Sequence, residues 1–339
     1  MTEKRNRQAT RTDVARLAGT SVAVVSYVIN DGPRNVSPER RRRVLEAMRE
    51  LSYQPNAIAR SLTSTRTNTV GMIVPDISNA FFAELALAVE DAAMEAGLLL
   101  FVGNSNENRA REEAYVDSFV RQRVDGVIYI GVTREASAQT LVDAGLPVVV
   151  LDRPLESVEA MCVGIDHRDA ARQATAHLIG HGHTRIACVT GPAGLTVSQA
   201  RSRGWHDALD EAGIAVDESL VLHAPFSLDG GAAAFAELAR LDAGVTAAFV
   251  GADEQARGLV SAAGTAGTTV PDALAVTSID GTRQSEFGNP PLTTMRQPFR
   301  ELAVAAIAGI VTPAEGSPGA VTMQAQLTVG RSCGCAPAG

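Results

Sequence analysis

The chain has 339 residues, 45% of them hydrophobic and 20% charged, with a formal net charge of −8. That is enough chain for two or three compact units at roughly 100–200 residues each, and the near-average composition excludes a wholly disordered, collagen-like or mucin-like protein. No apolar run reaches the roughly 18 residues of a membrane-spanning helix, residues 1–5 lead into polar sequence instead of a signal core, and the cysteines Cys162, Cys188, Cys333 and Cys335 do not make a disulfide framework. An intracellular chain is therefore expected.

Charge is unevenly distributed. Through Arg66 there are 13 Lys and Arg against 6 Asp and Glu, a balance of +7, and the remainder carries 17 against 32, a balance of −15. A basic head on an acidic body suggests a polyanionic partner for the head. Three short helices are predicted in that head. The first has Thr12 as its N-cap and Asp13 at its positive end, with Val14, Leu17 and Ala18 as its apolar stripe and Gly19 as its stop. A tight turn leads to a second helix over 22–30, and a third begins with Ser37 as cap and Pro38 at its first position, burying Val44, Met48 and Leu51. Two helices joined by so short a glycine-containing turn form a helix-turn-helix.

On the second helix, Val25, Val28 and Ile29 cluster on one arc, and Val22, Ala23, Ser26, Tyr27 and Asn30 on the other. The first arc is the expected core. The second suits the DNA major groove: Val22 and Ala23 fit thymine methyls, the Tyr27 hydroxyl can reach a base edge or phosphate, and Ser26 and Asn30 suit phosphates.

From residue 68 onward, β-branched runs alternate with amphipathic stretches. Strands are predicted at 70–74, 98–102, 126–130, 148–151, 186–189, 247–250 and 275–279, and helices at 82–95, 109–122, 170–179, 198–212 and 253–266. Such alternation builds parallel sheets covered on both faces, and so many units fit two doubly wound lobes better than one. Ligands of these sheets bind beyond the carboxyl ends of the strands. The residues expected there include Asp152, Arg153, Arg201, Asp253 and Asp280, with the aromatics Phe81 and Phe82. Carboxylates, a guanidinium fork and aromatic rings together describe a cleft for a neutral, polyhydroxylated molecule.

Residues 10–21 (TRTDVARLAGTS), 25–30 (VSYVIN) and 51–62 (LSYQPNAIARSL) resemble the N-terminal signature of the LacI/GalR family of bacterial transcription regulators. The resemblance implies that Val22, Ala23 and Tyr27 choose the operator and that Thr10, Thr12 and Ser21 join Ser26 and Asn30 on phosphates. It also implies a hinge helix carrying Asn56, Ala59 and Leu62, with Leu62 wedged into a minor-groove step. The body resembles the periplasmic-binding-protein-like sensor of the same regulators. That places Phe82, Arg201, Phe226, Asp253, Asp280 and Gln297 on the effector. Thr20, Tyr27, Ala80, Leu195 and Val197 depart from residues more usual in the family.

The expected organisation is a helix-turn-helix domain at 1–53, a hinge and linker at 54–67, an effector-binding and dimerisation domain at 68–335, and a tail at 336–339. Within the body, about 68–166 and 297–327 form one lobe, and about 167–296 and 328–335 the other. The expected function is a homodimeric repressor on a near-palindromic operator, controlled by a sugar, polyol or nucleoside. The rival reading is a sugar-binding or sugar-modifying protein with a structural basic head. His177 and His181 share a helix face, but Gly180 and Gly182 break the run, and no acid or cysteine is expected near them as a third ligand. The Cys333–Gly334–Cys335 stretch reads as a loose tail. No metal and no cofactor is expected. No Walker A loop, dinucleotide fingerprint or nucleophile elbow is found, so no enzyme is expected either.

Overall fold

The computed structural model describes residues 9–29, 36–53, 66–131, 135–152, 155, 158–241, 244–313 and 319–335. Asn30, Arg153, Asn56, Ala59 and Leu62 lie outside the described residues. The chain divides into two compact units, Met1–Thr67 and Asn68–Gly339.

In the first unit, α1 (Arg11–Leu17), α2 (Val22–Ile29) and α3 (Pro38–Glu50) close on a small core. Val14, Val25 and Val44 are fully buried at its centre, each contributing about 1.5–3 kcal/mol by leaving water. The first helix starts two residues earlier than the sequence suggested. Thr10, not Thr12, is its N-cap: its backbone is extended, its side chain accepts from Asp13 N–H, and the Asp13 side chain caps in return. This reciprocal box satisfies two otherwise orphaned donors, which Thr12, inside the helix, could not do. Gly19, at φ +60°, makes the turn, and Thr20 N–H closes on Ala15 C=O. The first two helices then diverge by 106°, as a helix-turn-helix requires. Among the described residues, no single helix is long and apolar enough to cross a membrane.

The second unit contains two six-stranded sheets. The first uses β1 (Thr69–Val74), β2 (Leu99–Asn104), β3 (Gly126–Tyr129), β4 (Val148–Leu151), β5 (Met161–Ile165) and β11 (Ala320–Met323), in the order β11-β5-β4-β3-β1-β2. The second uses β6 (Ile186–Thr190), β7 (Val221–His223), β8 (Ala247–Val250), β9 (Ala275–Asp280), β10 (Thr293–Arg296) and β12 (Gln326–Thr328), in the order β12-β10-β9-β8-β6-β7. All pairings are parallel except β10 with β12. The chain passes between sheets three times, after β5, after β10 and after β11. The last crossing precedes Gln326, earlier than the break after 327 read from the sequence, because Gln326 and Leu327 pair with Arg296 and Met295.

Helices cover both faces, in chain order α4 (Ala80–Glu95), α5 (Arg109–Gln122), α6 (Glu135–Asp143), α7 (His167–Gly180), α8 (Thr196–Glu211), α9 (Leu228–Leu241), α10 (Asp253–Thr265), α11 (Arg283–Glu286) and α12 (Phe299–Val311). The helices α6, α9, α11 and α12 are absent from the helices expected from the sequence. Gly230 and Gly231 resemble a turn, yet they stand inside α9. A Cβ on Gly231 would lie 1.9 Å from Gln255 C=O, so bare backbone is what lets α9 and α10 approach. The close approach outweighs the roughly 1 kcal/mol that glycine costs in a helix.

Candidate functional sites

The outward face of α2 exposes Val22 (41%) and Ala23, with Ser26 and Tyr27 half-buried, while Val25 and Val28 face the core. Ser21 caps the helix, its hydroxyl oxygen accepting from Val24 N–H at 3.3 Å. Thr12 is exposed, and Thr10 is engaged in its capping box. Arg40, Arg41, Arg42 and Arg43 are all exposed at the start of α3. An uncharged helix face and a run of exposed guanidiniums in one small unit suit base-edge contact and phosphate neutralisation.

In the second unit, Asn79, Phe81, Phe82, Asp152, Val197, Arg201, Phe226, Ala252 and Asp280 line one narrow cavity. They follow β1 and β4 of one sheet and β6, β7 and β8 of the other, or end β9. The two lobes meet over it: Asn79 Nδ2 donates to Phe226 C=O at 3.1 Å, and Arg283 N–H to Glu84 Oε1 at 2.7 Å.

Arg201, 3% exposed, organises the polar wall. Its Nη1 donates to Gly251 C=O, and its Nη2 to His167 Nδ1 at 3.2 Å with Asp280 Oδ1 at 3.9 Å. Its guanidinium carbon stands 5.4 Å from the Phe226 ring centroid. Arg201 Nε has no acceptor among the described residues, and a buried donor without a partner costs about 1–3 kcal/mol. Because His167 accepts at Nδ1, its proton sits on Nε2, which faces Asp152 C=O at 3.2 Å. Burial first, then Arg201, lowers the His167 pKa to about 4. The ring is therefore neutral at pH 7, and its 3.5 Å approach to Asp152 Oδ1 is not an ion pair.

Asp280 feels opposing influences. Burial pushes its carboxyl well above the usual range, Arg201 pulls it down, and Asp253 pushes it up again. Asp152 and Asp280 also hold positive φ angles, 67° and 131°. Non-glycine residues avoid that region at a cost of about 1–3 kcal/mol, and such strain gathers at functional sites.

Phe82, Arg201, Phe226 and Asp280, all expected from the sequence, thus meet at one cavity. Asp253 and Gln297 stand one layer behind it instead of lining it. Asp253 Oδ1 accepts from Ser278 and Thr294 hydroxyls at 2.6 and 2.7 Å, and Oδ2 from Thr282 N–H and Oγ1 at 2.8 and 3.0 Å. Its accepting capacity is filled internally. Gln297 Nε2 donates to Asp280 Oδ1 at 3.0 Å. The sequence reading missed His167. It is the second residue after β5, a strand the reading also missed, and that post-strand position was its only signal.

The expectations of a loose tail and of no further ligand near the histidines are both overturned. Cys333 is 1% exposed, and Ser332 hydroxyl donates to Val276 C=O at 2.6 Å, so the segment is docked on the second sheet. His177, His181, Cys333 and Cys335 place one ligand atom each within 4.8 Å of one another.

Residues 10–56 match the family described as bacterial regulatory proteins of the lacI family, and residues 67–317 match the periplasmic binding proteins and sugar binding domain of the LacI family. The catabolite control protein A of Priestia megaterium is 38% identical over 298 residues, covering 87% of this chain and 89% of that protein. A solved structure of the transcriptional regulator CelR with cellobiose superposes with TM-score 0.72 at 32% identity, covering 96% and 99% of the two chains. The lac repressor dimer bound to operator and the anti-inducer ONPF superposes with TM-score 0.84 at 25% identity, again covering 96% and 99%.

Proposed function

The chain belongs to the LacI family of transcriptional regulators, and from that premise we propose that it is a homodimeric repressor whose hold on a near-palindromic operator is set by a small sugar-like effector. We assign residues 1–53 to DNA binding, 54–67 to the hinge and 68–335 to effector binding and dimerisation, in the cytoplasm. Val22, Ala23 and Tyr27 read bases, and Thr10, Thr12, Ser21, Ser26 and Asn30 contact phosphates. Asn56, Ala59 and Leu62 engage the minor groove where the two subunits meet.

One observation carries the effector reading: a cavity walled by both lobes, with buried Arg201 and Asp280 on one side and Phe82 and Phe226 beside them. A guanidinium and a carboxylate bind hydroxyls, and the rings cover the apolar face of a sugar. A ligand bridging both lobes binds the closed form better than the open one, and only such unequal binding can shift an equilibrium. Asp253 and Gln297 serve this site by holding the strand ends and Asp280. For dimerisation, the edge strand β2 and the adjoining α4 expose Leu99, Phe101, Val102, Leu87 and Met94. An open apolar sheet edge calls for a partner, and a second copy of the chain supplies one.

The test uses the full chain and a pseudo-palindrome from its own upstream DNA. Fluorescence anisotropy should show tight binding that falls steeply with added salt, and one sugar in a panel should change the affinity while binding in calorimetry. No DNA binding at low ionic strength, with or without the sugars, would falsify the reading.

A further inference from the structure

The cluster at the far end of the second lobe matches a metal's requirements. His177 and His181 lie at i and i+4 at the C-terminal end of α7, and Cys333 and Cys335 reach them from more than 150 residues away. His177 Nε2 is 3.3 Å from Cys333 Sγ and 3.6 Å from Cys335 Sγ, and His181 Nε2 is 3.2 Å from Cys335 Sγ. A tetrahedral ion with bonds of about 2.0–2.1 Å to nitrogen and 2.3 Å to sulfur has ligand–ligand edges of about 3.3–3.8 Å. Two of the separations already have that length, the third is within about 0.1 Å of it, and the widest pair, within 4.8 Å, must close by only about 1 Å.

The supports are those of a built site. Thr293 Oγ1 donates to Cys333 Sγ at 2.9 Å while accepting from Gly330 N–H at 3.0 Å. Ser332 Oγ, from the neighbouring residue, accepts from Thr293 N–H at 2.9 Å. Outer partners of this kind fix the ligating atoms in advance.

We propose that His177, His181, Cys333 and Cys335 bind one Zn²⁺ per chain as a closed structural site. Two thiolates and two imidazoles in a tetrahedron select a borderline-soft ion of this class, and four protein ligands leave no open position for substrate. Binding turns two thiols into thiolates and releases their two protons to solvent. The ion clasps the segment after β12 to the C-terminal end of α7, the helix whose first residue, His167, contacts Arg201 in the cleft. The site thus steadies an element of the effector cavity from the opposite end.

The full-length chain, reduced and stripped with a chelator, is titrated with zinc alone in competition with a chromophoric chelator. The expected result is one zinc per chain, a higher melting temperature with zinc than without, and tetrahedral thiolate-charge-transfer absorption when cobalt replaces it. His181→Ala, at the one exposed position, and Cys335→Ser, at a half-buried one, keep the fold and lose zinc affinity by about 100-fold or more. Thr293→Val loses about 10-fold, the lower end of what an outer partner contributes. His183→Ala, beside the cluster but outside it, binds as the parent does. Failure of the folded, reduced parent to take up stoichiometric zinc overturns the proposal. So does parental affinity in both His181→Ala and Cys335→Ser, or a Cys333–Cys335 disulfide that survives reduction and leaves no zinc bound.

Discussion

Val22 on the outward face of α2 is 41% exposed, whereas Arg201, Asp280 and His167 in the cleft are 3%, 4% and 6% exposed. The head presents its chemistry on one face of one helix, with the opposite face supplying the core. The body draws its chemistry from the ends of six strands in two sheets and hides it. A surface side chain can change without disturbing its neighbours, so specificity in the head is separable from stability. In the cleft, each buried charge relies on partners that are themselves buried, so binding and folding share the same bonds.

The largest expected effect comes from Asp253→Ala, which strands the Ser278, Thr282 and Thr294 donors together. Urea unfolding should show about 3–5 kcal/mol lost; parental stability with lost effector binding would instead make Asp253 a ligand contact. The next effect is pH-dependent. Unfolded His167 takes a proton near its ordinary value of 6.5, but in the fold it resists protonation until about 4. Its contribution is therefore complete above about pH 6.5 and drains away as pH falls toward 4, about 3 kcal/mol in all. Asp280 acts in the opposite sense, because its raised folded pKa favours the acid form, so its share declines as pH rises above 3.8. Because the Asp280 contribution is common to both proteins, unfolding at pH 7, 6 and 5 should show the parent losing stability relative to His167→Gln as pH falls.

Smaller effects separate the two regions cleanly. A Cβ on Gly191 would lie 2.2 Å from Phe226 Cζ, so Gly191→Ala should displace that ring. The expected cost is about 10-fold in effector affinity, or about 1.4 kcal/mol, read by calorimetry, with operator affinity in the absence of effector unchanged. Tyr27→Phe, which removes only a hydroxyl on the DNA-facing helix, should weaken operator binding by about 1 kcal/mol per half-site. Melting of the body should not move, and a shift there would break the contrast.

Much of the fold was legible because local periodicity reports burial. Strands such as Val148–Leu151 and Ala247–Val250 coincide with the predicted bounds, as does Arg109–Gln122 among helices. Misreadings came where a tertiary contact set the local rule. Gly231 serves a helix crossing that no window of sequence contains, and Thr10 caps α1 because Asp13 answers it from three residues on. Part of the cleft was legible too, since a residue after a parallel strand faces the ligand end of the sheet. His167 stayed hidden because the short strand before it, Met161–Ile165, carries two half-buried residues and a glycine instead of a β-branched run.

The amino-acid order alone determined the helix-turn-helix, the charge split and the count of lobes, because each rests on spacing within a few turns of chain. Folding decided which polar groups are saturated and which face a cavity: Asp253 is enclosed by hydroxyls, while Arg201 Nε finds no acceptor among the described residues. It also brought Cys333 and Cys335 to two histidines more than 150 residues earlier. Such meetings follow from how sheets and crossings close in space, and no local pattern encodes them.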